Sequence, residues 1–303
     1  MIHSRAFEDE NDLLALRALL VDARRIAGHN AGYWHIGDLT WRHCIWFRAQ
    51  DYRLWFDNDQ LIGFAVFTDF FYYYWQIHPY YLWRGVEEEM LAWVERCRTV
   101  AMNDGSIPSE RKRRLVASAF ENDSQRIAFL ERNGFIQGED LTIHFACALT
   151  ESSAHPQQSD GFTLRGMEGL HQAPQRAEAH RQAFRSSYVT DDGYCKLMQM
   201  AEYNRELDVV SVASDGTIAA YAMSWVDVEN KIGEFEPIGA RPAFQRQGLT
   251  RAALLEGMRR MKARGAETAI VCTDGSNGAA RCLYESVGFR VIYREWNYVK
   301  RDA

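Results

Sequence analysis

Hydrophobic positions along the chain alternate between two spacings, one typical of strands and one of helices. Residues 28–46, which are irregular and aromatic, indicate a loop and a short helix that either cover a cleft or pack in the core. The first half is otherwise predicted to contain a strand ending at Phe7, a helix capped by Asn11 or Asp12, strands at 52–56, 61–67 and 70–77, a helix at 86–97, a strand at 115–120, a helix at 123–133 and a strand at 141–148.

The same order of strands and helices returns in the second half. Gly134-Phe135 and Gly288-Phe289 close the corresponding helix of each half. We therefore predict one α/β unit with a mixed α+β sheet that occurs twice, as domains at 1–150 and 161–303 joined by a polar linker at 151–160. The second unit is predicted to have strands at 162–165, 208–213, 217–225, 231–240, 268–272 and 291–299, and helices at 251–264 and 277–287.

Composition fits two ordinary globular domains. The 303 residues are 47% apolar and 25% charged, and the mean hydropathy is -0.37. A net charge of -6 and a pI near 5.9 count against a nucleic-acid partner, which usually meets a basic face. The basic run at 111–114 is interpreted as a solvated loop.

The cysteine pattern and the apolar runs bear on cellular location. Six cysteines lack the spacing of a disulfide framework or a metal site, so no metal is expected. The first ten residues are too acidic for a signal peptide, and no apolar run is long enough to cross a membrane. These features predict a cytoplasmic protein without a membrane partner.

A possible anion cradle lies between the strand at 231–240 and the helix that follows it. The first N–H groups of a helix lack internal partners and point outward at the positive end of the helix dipole. Gly248 lets a ligand approach the backbone closely, and Arg246 and Arg251 can reach an anion. The sequence of this loop is Gln245-Arg246-Gln247-Gly248-Leu249-Thr250.

Two motifs in the second half resemble the GNAT superfamily of acyl-CoA-dependent N-acetyltransferases. The phosphate loop of that family reads Gln/Arg-x-x-Gly-x-Gly/Ala, and Gln245, Gly248 and Thr250 stand at its three positions. Thr250 departs from the small residue usual there. The second motif reads Asn-x-x-Ala-x-x-Leu-Tyr-x-x-x-Gly-Phe and is matched by Asn277, Ala280, Leu283, Tyr284, Gly288 and Phe289.

The resemblance implies acetyl-CoA as cosubstrate and direct transfer of its acetyl group to a primary amine of a small molecule or peptide. The backbone from Gln245 to Arg251, with Gln247 and Leu249 inside it, is then expected to hold the pyrophosphate. Ile238, Gly239 and Ala240 at the end of the preceding strand complete the expected CoA site, together with Asn277, which is also expected to cap its helix.

Three residues are the expected catalytic groups. An alkylammonium must lose a proton before it can attack, and Glu234 and Glu236 lie two apart, on one face of the strand that enters the loop. We predict that this pair supplies the base, although an exposed strand face is the alternative. By resemblance Tyr284 protonates the departing thiolate; otherwise it is a core aromatic residue.

The first half shows the equivalent loop in a different form. Its sequence at 82–87 places leucine where the second half has Gln245, and Glu87, Glu88 and Glu89 crowd the start of the helix. Like charges ~4 Å apart cost about 1 kcal/mol in water and about 4 kcal/mol near a protein surface, so this loop is expected to reject a pyrophosphate. Leu130 also stands where Tyr284 stands. The first domain is therefore predicted to be degenerate, as in the similar tandem acetyltransferases of the mycothiol synthase type.

Two other functions remain open at this point. One is a non-catalytic protein that binds CoA without transferring an acetyl group, and the other is an aminoacyl-type transferase that uses tRNA. The acidic balance and the intact loop count against the second. The acceptor amine is not identified by the sequence, and a monomer and a homodimer are both possible.

Overall fold

A computed structural model describes residues 1–28, 33–103, 114–150, 156, 159–186 and 188–301. Most of the predicted linker at 151–160, and all of the basic run except Arg114, lie outside these residues. The first half comprises β1 (Ile2–Ala6), α1 (Glu10–Ala27), α2 (Ile36–Ile45), β2 (Tyr52–Asp57), β3 (Gln60–Phe67), β4 (Tyr73–Ile77), α3 (Val86–Met102), β5 (Arg114–Phe120), α4 (Ser124–Arg132) and β6 (Ile136–Ala148).

The second half repeats this order of elements and ends in a long strand. It comprises β7 (Phe162–Arg165), α5 (Ala173–Phe184), α6 (Asp191–Gln199), β8 (Asp208–Ala213), β9 (Ile218–Asp227), β10 (Ile232–Ala240), α7 (Leu249–Ala263), β11 (Thr268–Asp274), α8 (Gly278–Ser286) and β12 (Arg290–Arg301). The predicted mixed α/β class is confirmed.

The structure differs from the sequence-based prediction at two places. The cap of α1 is Asp9, whose carboxylate accepts from the Asn11 N–H, whereas Asp12 is buried and pairs with Arg5 at 2.6 Å. Helices α5 and α6 were not predicted. The buried face of α5 carries small and polar side chains such as Ala177 and Arg176 in place of large apolar ones, so the helical period of hydrophobicity is weak there.

The sheets show that the two halves exchange their last strands. Strands β1 to β4 form one sheet, and the second has the order β5-β12-β6-β11-β10-β9-β8-β7. Strand β6 pairs with β11 of the second half, and β12 pairs with β5 of the first. The two exchanged strands also pair with each other. The domain boundaries at 150 and 161 stay a prediction, because the sheet is continuous across them.

The hydrophobic cores follow the exchanged strands. Ile143 and Phe145 of β6 are buried in the core that packs against α7 and α8. Tyr298 of β12 is buried in the core of the first half, near Phe135 and Leu130. Each half therefore needs apolar side chains from the other to complete its core.

The repeat predicted from the sequence extends to backbone details. Asp123 caps α4 through the N–H three residues on, at 3.0 Å, and Asn277 caps α8 in the same way at 3.1 Å. A short 3₁₀ turn follows β4 at Pro79–Tyr81 and β10 at Pro242–Phe244. Among the described residues, no helix combines the length and the apolar character that a membrane span requires.

The exchange predicts that neither half folds alone. Residues 1–150 and 159–303, expressed separately, should lack cooperative unfolding by circular dichroism, because β5 and β11 each lose a neighbouring strand. The matched control is the full chain with a protease site inserted in 151–160, whose two fragments should stay together on size-exclusion chromatography after cleavage. Two halves that fold independently as monomers would contradict this prediction.

Candidate active site

The backbone before α7 forms an open cradle. Arg246 and Gly248 both have positive φ angles, 61° and 78°, a conformation that glycine adopts without strain. Gly248 is the N-cap and provides no side-chain hydrogen bond. The Ala252 N–H bonds to the Gly248 carbonyl at 3.0 Å, so the preceding N–H groups of the helix have no partner within it. Amides at the positive end of a helix in this arrangement bind anions.

Charge around the cradle also favours an anion. The side chains of Gln245, Arg246, Gln247 and Arg251 are exposed, and that of Thr250 is half-buried. Ser159 donates to the Gln247 carbonyl at 3.2 Å and holds that side of the loop. Two guanidinium groups within one turn of the helix start add to the field of the dipole.

The first half has the same backbone with its cradle filled. Trp83 and Gly85 have φ angles of 61° and 96°, matching Arg246 and Gly248. The Glu87 side chain is fully buried, and its Oε1 accepts from the Trp83 N–H at 2.6 Å. A carboxylate of the chain itself therefore takes a backbone N–H group that a bound phosphate could otherwise use.

The three neighbouring glutamates of the first half have different roles. Glu88 pairs with Arg132 at 2.9 Å, and Glu89 accepts from Trp55 Nε1 at 3.1 Å. Glu87 alone of the three turns into the loop, at the position that Thr250 occupies in the second half.

A cleft opens where β10 and β11 separate. The two parallel strands pair from Ile232 to Phe235, and the pairing of β10 with β9 shifts register between Phe235 and Ile238. Glu236 lies at this shift, and its carbonyl accepts from Trp225 Nε1 at 2.7 Å. Ile238, Gly239 and Ala240, all half-buried, continue the strand toward the cradle.

A cavity of about 540 Å³ lies between the two halves, next to this cleft. Its walls are largely aromatic, and its floor carries hydrogen-bonding side chains of β5, β6 and β12. Glu234 and Cys272 line its second-half side. Described residues of the aromatic segment at 28–46 line this cavity, as Tyr33 and Arg42 do. Others pack in the core, as Leu39 and Trp41 do, so both alternatives from the sequence apply. Residues of the first half at the cavity include Tyr33, Trp34, His35, Asp38, Arg42, Trp46, Tyr72, Tyr74 and Ser118.

Glu234 is held by the first half. Its side chain is buried, and its Oε2 accepts from the Asp38 N–H at 3.1 Å. The same oxygen lies 3.2 Å from Nδ1 of His35. Burial, and then the charge of Asp38, raise the pKa of Glu234 well above its ordinary value. A carboxyl group with this environment keeps its proton more readily than an exposed glutamate.

Glu236 is the more accessible carboxyl group of the pair. It is half-buried, and burial, followed by the charges of Asp38 and Glu234, raises its pKa to about 8. A general base works best when its pKa lies near the pH at which it operates. The two glutamates of β10 therefore have different surroundings, and their joint role as the base stays a prediction.

Tyr284 and Cys272 lie near these carboxyl groups. Tyr284 is buried against Phe145 and Phe289, with ring centroids 5.6 Å and 6.1 Å away. Burial, and then the nearby Cys272 and Glu236, raise its pKa, so the phenol keeps its proton at neutral pH. Burial and the charge of Glu236 also raise the pKa of the Cys272 thiol.

Sequence reasoning missed the part of the site that α2 contributes. His35 and Asp38 form a capping box at the start of α2, a spacing that the sequence does contain. Asp38 pairs with Arg42 one turn on, at 3.1 Å. Nothing local indicates that this helix start faces Glu234, which is 196 residues away. In the described part of the chain, these carboxyl groups do not form a set suited to a metal ion.

Comparison with known families identifies the second half. Residues 174–289 match the model of the acetyltransferase (GNAT) family. This segment contains the cradle, both glutamates of β10 and Tyr284, so the second half carries a GNAT acetyltransferase domain.

Curated relatives match over part of their length. Mycothiol acetyltransferase of Streptomyces avermitilis is 36% identical over 75 residues, which cover 25% of this chain and 24% of the relative. The enzyme of the same name from Saccharomonospora viridis is 23% identical over 173 residues, 55% of this chain and 47% of the relative. The chain thus matches between about a quarter and a half of the length of these relatives.

Solved structures match over the whole chain. A GCN5-related N-acetyltransferase from Sphaerobacter thermophilus superposes with a TM-score of 0.66 at 18% identity, covering 99% of this chain and 95% of that protein. A tandem GNAT protein from the clavulanic acid biosynthesis pathway gives 0.69 at 12% identity, with coverage of 99% and 98%. At this identity the likeness shows the fold alone, and the predicted fold of two tandem GNAT-like units is confirmed.

The pKa of Glu236 predicts a pH-dependent stability difference for Glu236→Gln. Because the folded pKa is raised to about 8 from a usual value of 4.5, the stability contributed by the protonated carboxyl is complete below pH 4.5 and is lost as the pH rises through 8. Glutamine cannot ionise. The free energy of unfolding of the variant should therefore rise relative to wild type by at least ~1 kcal/mol between pH 5 and pH 9.

Urea denaturation at pH 5, 7 and 9 measures this difference. Glu285→Gln, on an exposed position of α8, is the matched control. A difference for Glu236→Gln that stays constant from pH 5 to pH 9 would show that Glu236 does not titrate in a buried environment.

Proposed function

We propose that this chain, whose second half is a GNAT acetyltransferase domain, transfers the acetyl group of acetyl-CoA to a primary amine of a small molecule or peptide. The observation that carries the proposal is the open cradle at the start of α7, beside a carboxyl group suited to act as a base. The first half has the same cradle, filled by Glu87. Because one loop is open and the other is filled, the chain is proposed to have one CoA site rather than two.

The residues of the second half fit CoA at the cradle. The backbone N–H groups at the start of α7, from Leu249 to Arg251, donate to the oxygens of a pyrophosphate, and Arg246 adds a charge-assisted contact. Ile238, Gly239 and Ala240 continue from there along β10 toward Glu236. The side chain of Asn277 caps α8 by accepting a hydrogen bond from the Ala280 N–H. Acetyl-CoA supplies an acetyl thioester, which is activated toward amines.

Glu234 and Glu236 act as the base. The ammonium form of the acceptor must lose a proton to become a nucleophile. Glu236 is accessible and its pKa is about 8, so its carboxylate form is present from neutral to mildly alkaline pH. It takes the proton directly or through a water molecule, and burial, together with the charges of Asp38 and Glu234 next to it, raises the pKa of Glu236 and so makes it a stronger base.

Tyr284 acts as the acid. Its raised pKa keeps the proton on the phenol oxygen until the sulfur of the leaving group develops negative charge. Cys272, in contrast, is a poor nucleophile because its thiol keeps its proton. The transfer is therefore proposed to be direct, without acetylation of the enzyme.

The cavity between the halves is the proposed acceptor site. It is lined by Glu234 of β10 and is large enough for a small molecule. The curated relatives are named mycothiol acetyltransferases, which favours a small-molecule amine. No nucleic-acid or membrane partner is part of the proposal, and the active unit is taken to be a monomer or a homodimer in the cytoplasm.

Copying the first-half loop into the second predicts loss of cosubstrate binding. In Thr250→Glu, the carboxylate should turn into the cradle as Glu87 does. Repulsion at ~4 Å should weaken acetyl-CoA binding at least 10-fold. Isothermal titration calorimetry at fixed ionic strength measures the affinity, with Thr250→Ser as the control that retains it.

Two calorimetric results would contradict the proposed binding of acetyl-CoA at α7. Wild-type protein that does not bind acetyl-CoA would remove the proposed function. Unchanged affinity in Thr250→Glu would remove the cradle at α7 as the site.

The base predicts the shape of the pH–rate profile. Release of free thiol from acetyl-CoA, measured with a panel of amino sugars, polyamines, aminoglycosides and peptides, should rise with pH through about 8, the pKa of Glu236. Glu234→Gln combined with Glu236→Gln should lower the rate by roughly 10²–10⁴-fold and flatten this limb. Glu285→Gln is the control with an unchanged profile.

The same assay separates the alternatives. Binding of acetyl-CoA without thiol release for any amine would favour a non-catalytic CoA-binding protein. Retention of labelled tRNA in a filter-binding assay would favour an aminoacyl-type transferase. An unchanged limb in the double variant would exclude the two glutamates as the base.

A further inference from the structure

We infer that the first half takes part in catalysis through Asp38, a positioning residue that holds Glu234 and sets its readiness to release a proton. The inference rests on the proposed function, in which Glu234 belongs to the base. It assigns to the degenerate half a role that requires no cosubstrate site of its own.

The contact between the halves at this point is unusually close. The N-terminal turn of α2 presses against β9 and β10, and a Cβ atom added at Gly37 would lie 2.4 Å from the Trp225 ring and 2.7 Å from Glu234 Oε2. Such a separation is shorter than side chains tolerate, and the ring is buried and cannot move away. Glycine at this position is what allows the Asp38 N–H to reach Glu234.

Asp38 is itself fixed in place. Its Oδ2 accepts from the His35 N–H at 3.1 Å, and its Oδ1 pairs with Arg42. Burial acts to raise the pKa of Asp38, but the charge of Arg42 and the hydrogen bonds from His35 and Glu234 outweigh it, so the net shift is downward. Asp38 therefore stays ionised beside Glu234, and its charge favours the protonated form of that carboxyl group.

His35 does not supply a positive charge here. Burial, and then the nearby Arg24, lower its pKa to about 3. The Gly37 N–H donates to its Nδ1 at 3.1 Å, so the ring is a neutral acceptor and its contact with Glu234 is not an ion pair. The charged and titratable groups that act on Glu234 and its neighbours are Arg24, Asp38 and Arg42 from the first half, and Asp227, Glu236 and Cys272 from the second.

Removing the charge of Asp38 leaves Arg42 unpaired near Glu234. Both changes favour the ionised form of Glu234. In Asp38→Asn, the titration midpoint of Glu234 should therefore fall by about one pH unit or more. Asp38→Glu keeps the charge and should keep most of the raised midpoint.

The midpoint can be measured without any assay of activity. Protein labelled with ¹³C at the glutamate side-chain carboxyl carbon gives one NMR signal per glutamate, and Glu234→Gln identifies the signal of Glu234. The matched control is Asp51→Asn. Asp51 is also buried and also caps a short helix beside an arginine, Arg48, at 3.1 Å, but it does not line the cavity.

A second variant tests the contact itself. Gly37→Ala should push α2 away from Glu234, lowering kcat of acetyl transfer at least 10-fold while the KM for acetyl-CoA stays unchanged. Its control is Gly278→Ala, at the start of α8, where an added Cβ meets no atom within 4 Å. The NMR midpoint of Glu234 should fall in Gly37→Ala as well, so this variant decides the matter if Asp38→Asn does not fold.

The outcomes separate this inference from the proposed function. A midpoint of Glu234 that is the same in wild type, Asp38→Asn and Gly37→Ala would overturn the role of Asp38, whatever the activity. Wild-type protein without acetyl transfer would overturn the proposed function, while a lowered midpoint would still establish that the first half controls this carboxyl group.

Discussion

The exchange of β6 and β12 is the constraint on which the rest of the structure depends. The last strand of each half pairs with a strand of the other half, β6 with β11 and β12 with β5, and the two last strands also pair with each other. The backbone hydrogen bonds of these strand pairs fix the position of one half relative to the other. A floor built from both halves, a cavity above it and the contact of α2 with β10 all follow from that position. A flexible linker between two separate domains could not hold a helix start 3.1 Å from a carboxylate oxygen.

Duplication has left two copies of one loop in different chemical states. Trp83 and Gly85 have positive φ angles, as Arg246 and Gly248 do. The two loops therefore share a backbone conformation and differ in the side chain that follows it. Glu87 satisfies the loop of the first half from within, and Thr250 leaves that of the second half open. The fold of each copy therefore survives with or without a ligand, and the first copy has become free to serve as a wall of the cavity and as a support for Glu234.

The sequence predicted the features that depend on local chemistry. Strand and helix periods, the cap at Asn277, and the glycine at the start of α7 all arise from residues a few positions apart. The contacts between the halves could not be predicted in this way. Either of two similar last strands can complete either sheet, and no local pattern distinguishes the exchange. The contact between Asp38 and Glu234 could not be predicted either, because the two residues are 196 positions apart in the sequence. Helix α5 was not predicted for a different reason. Its buried face carries Arg176, which pairs with Asp208 at 3.0 Å, so the expected hydrophobic period is interrupted.

Glu87 has a consequence for how the chain responds to its surroundings. A site filled by its own side chain contributes the same free energy at every concentration of small molecules. An open site such as the cradle at α7 stabilises the fold in proportion to the logarithm of ligand concentration, once that exceeds the dissociation constant. With acetyl-CoA bound at α7 as proposed, the free energy of unfolding depends on the concentration of that ligand through the second copy and not through the first. Because the strands are exchanged, that dependence reaches both halves at once.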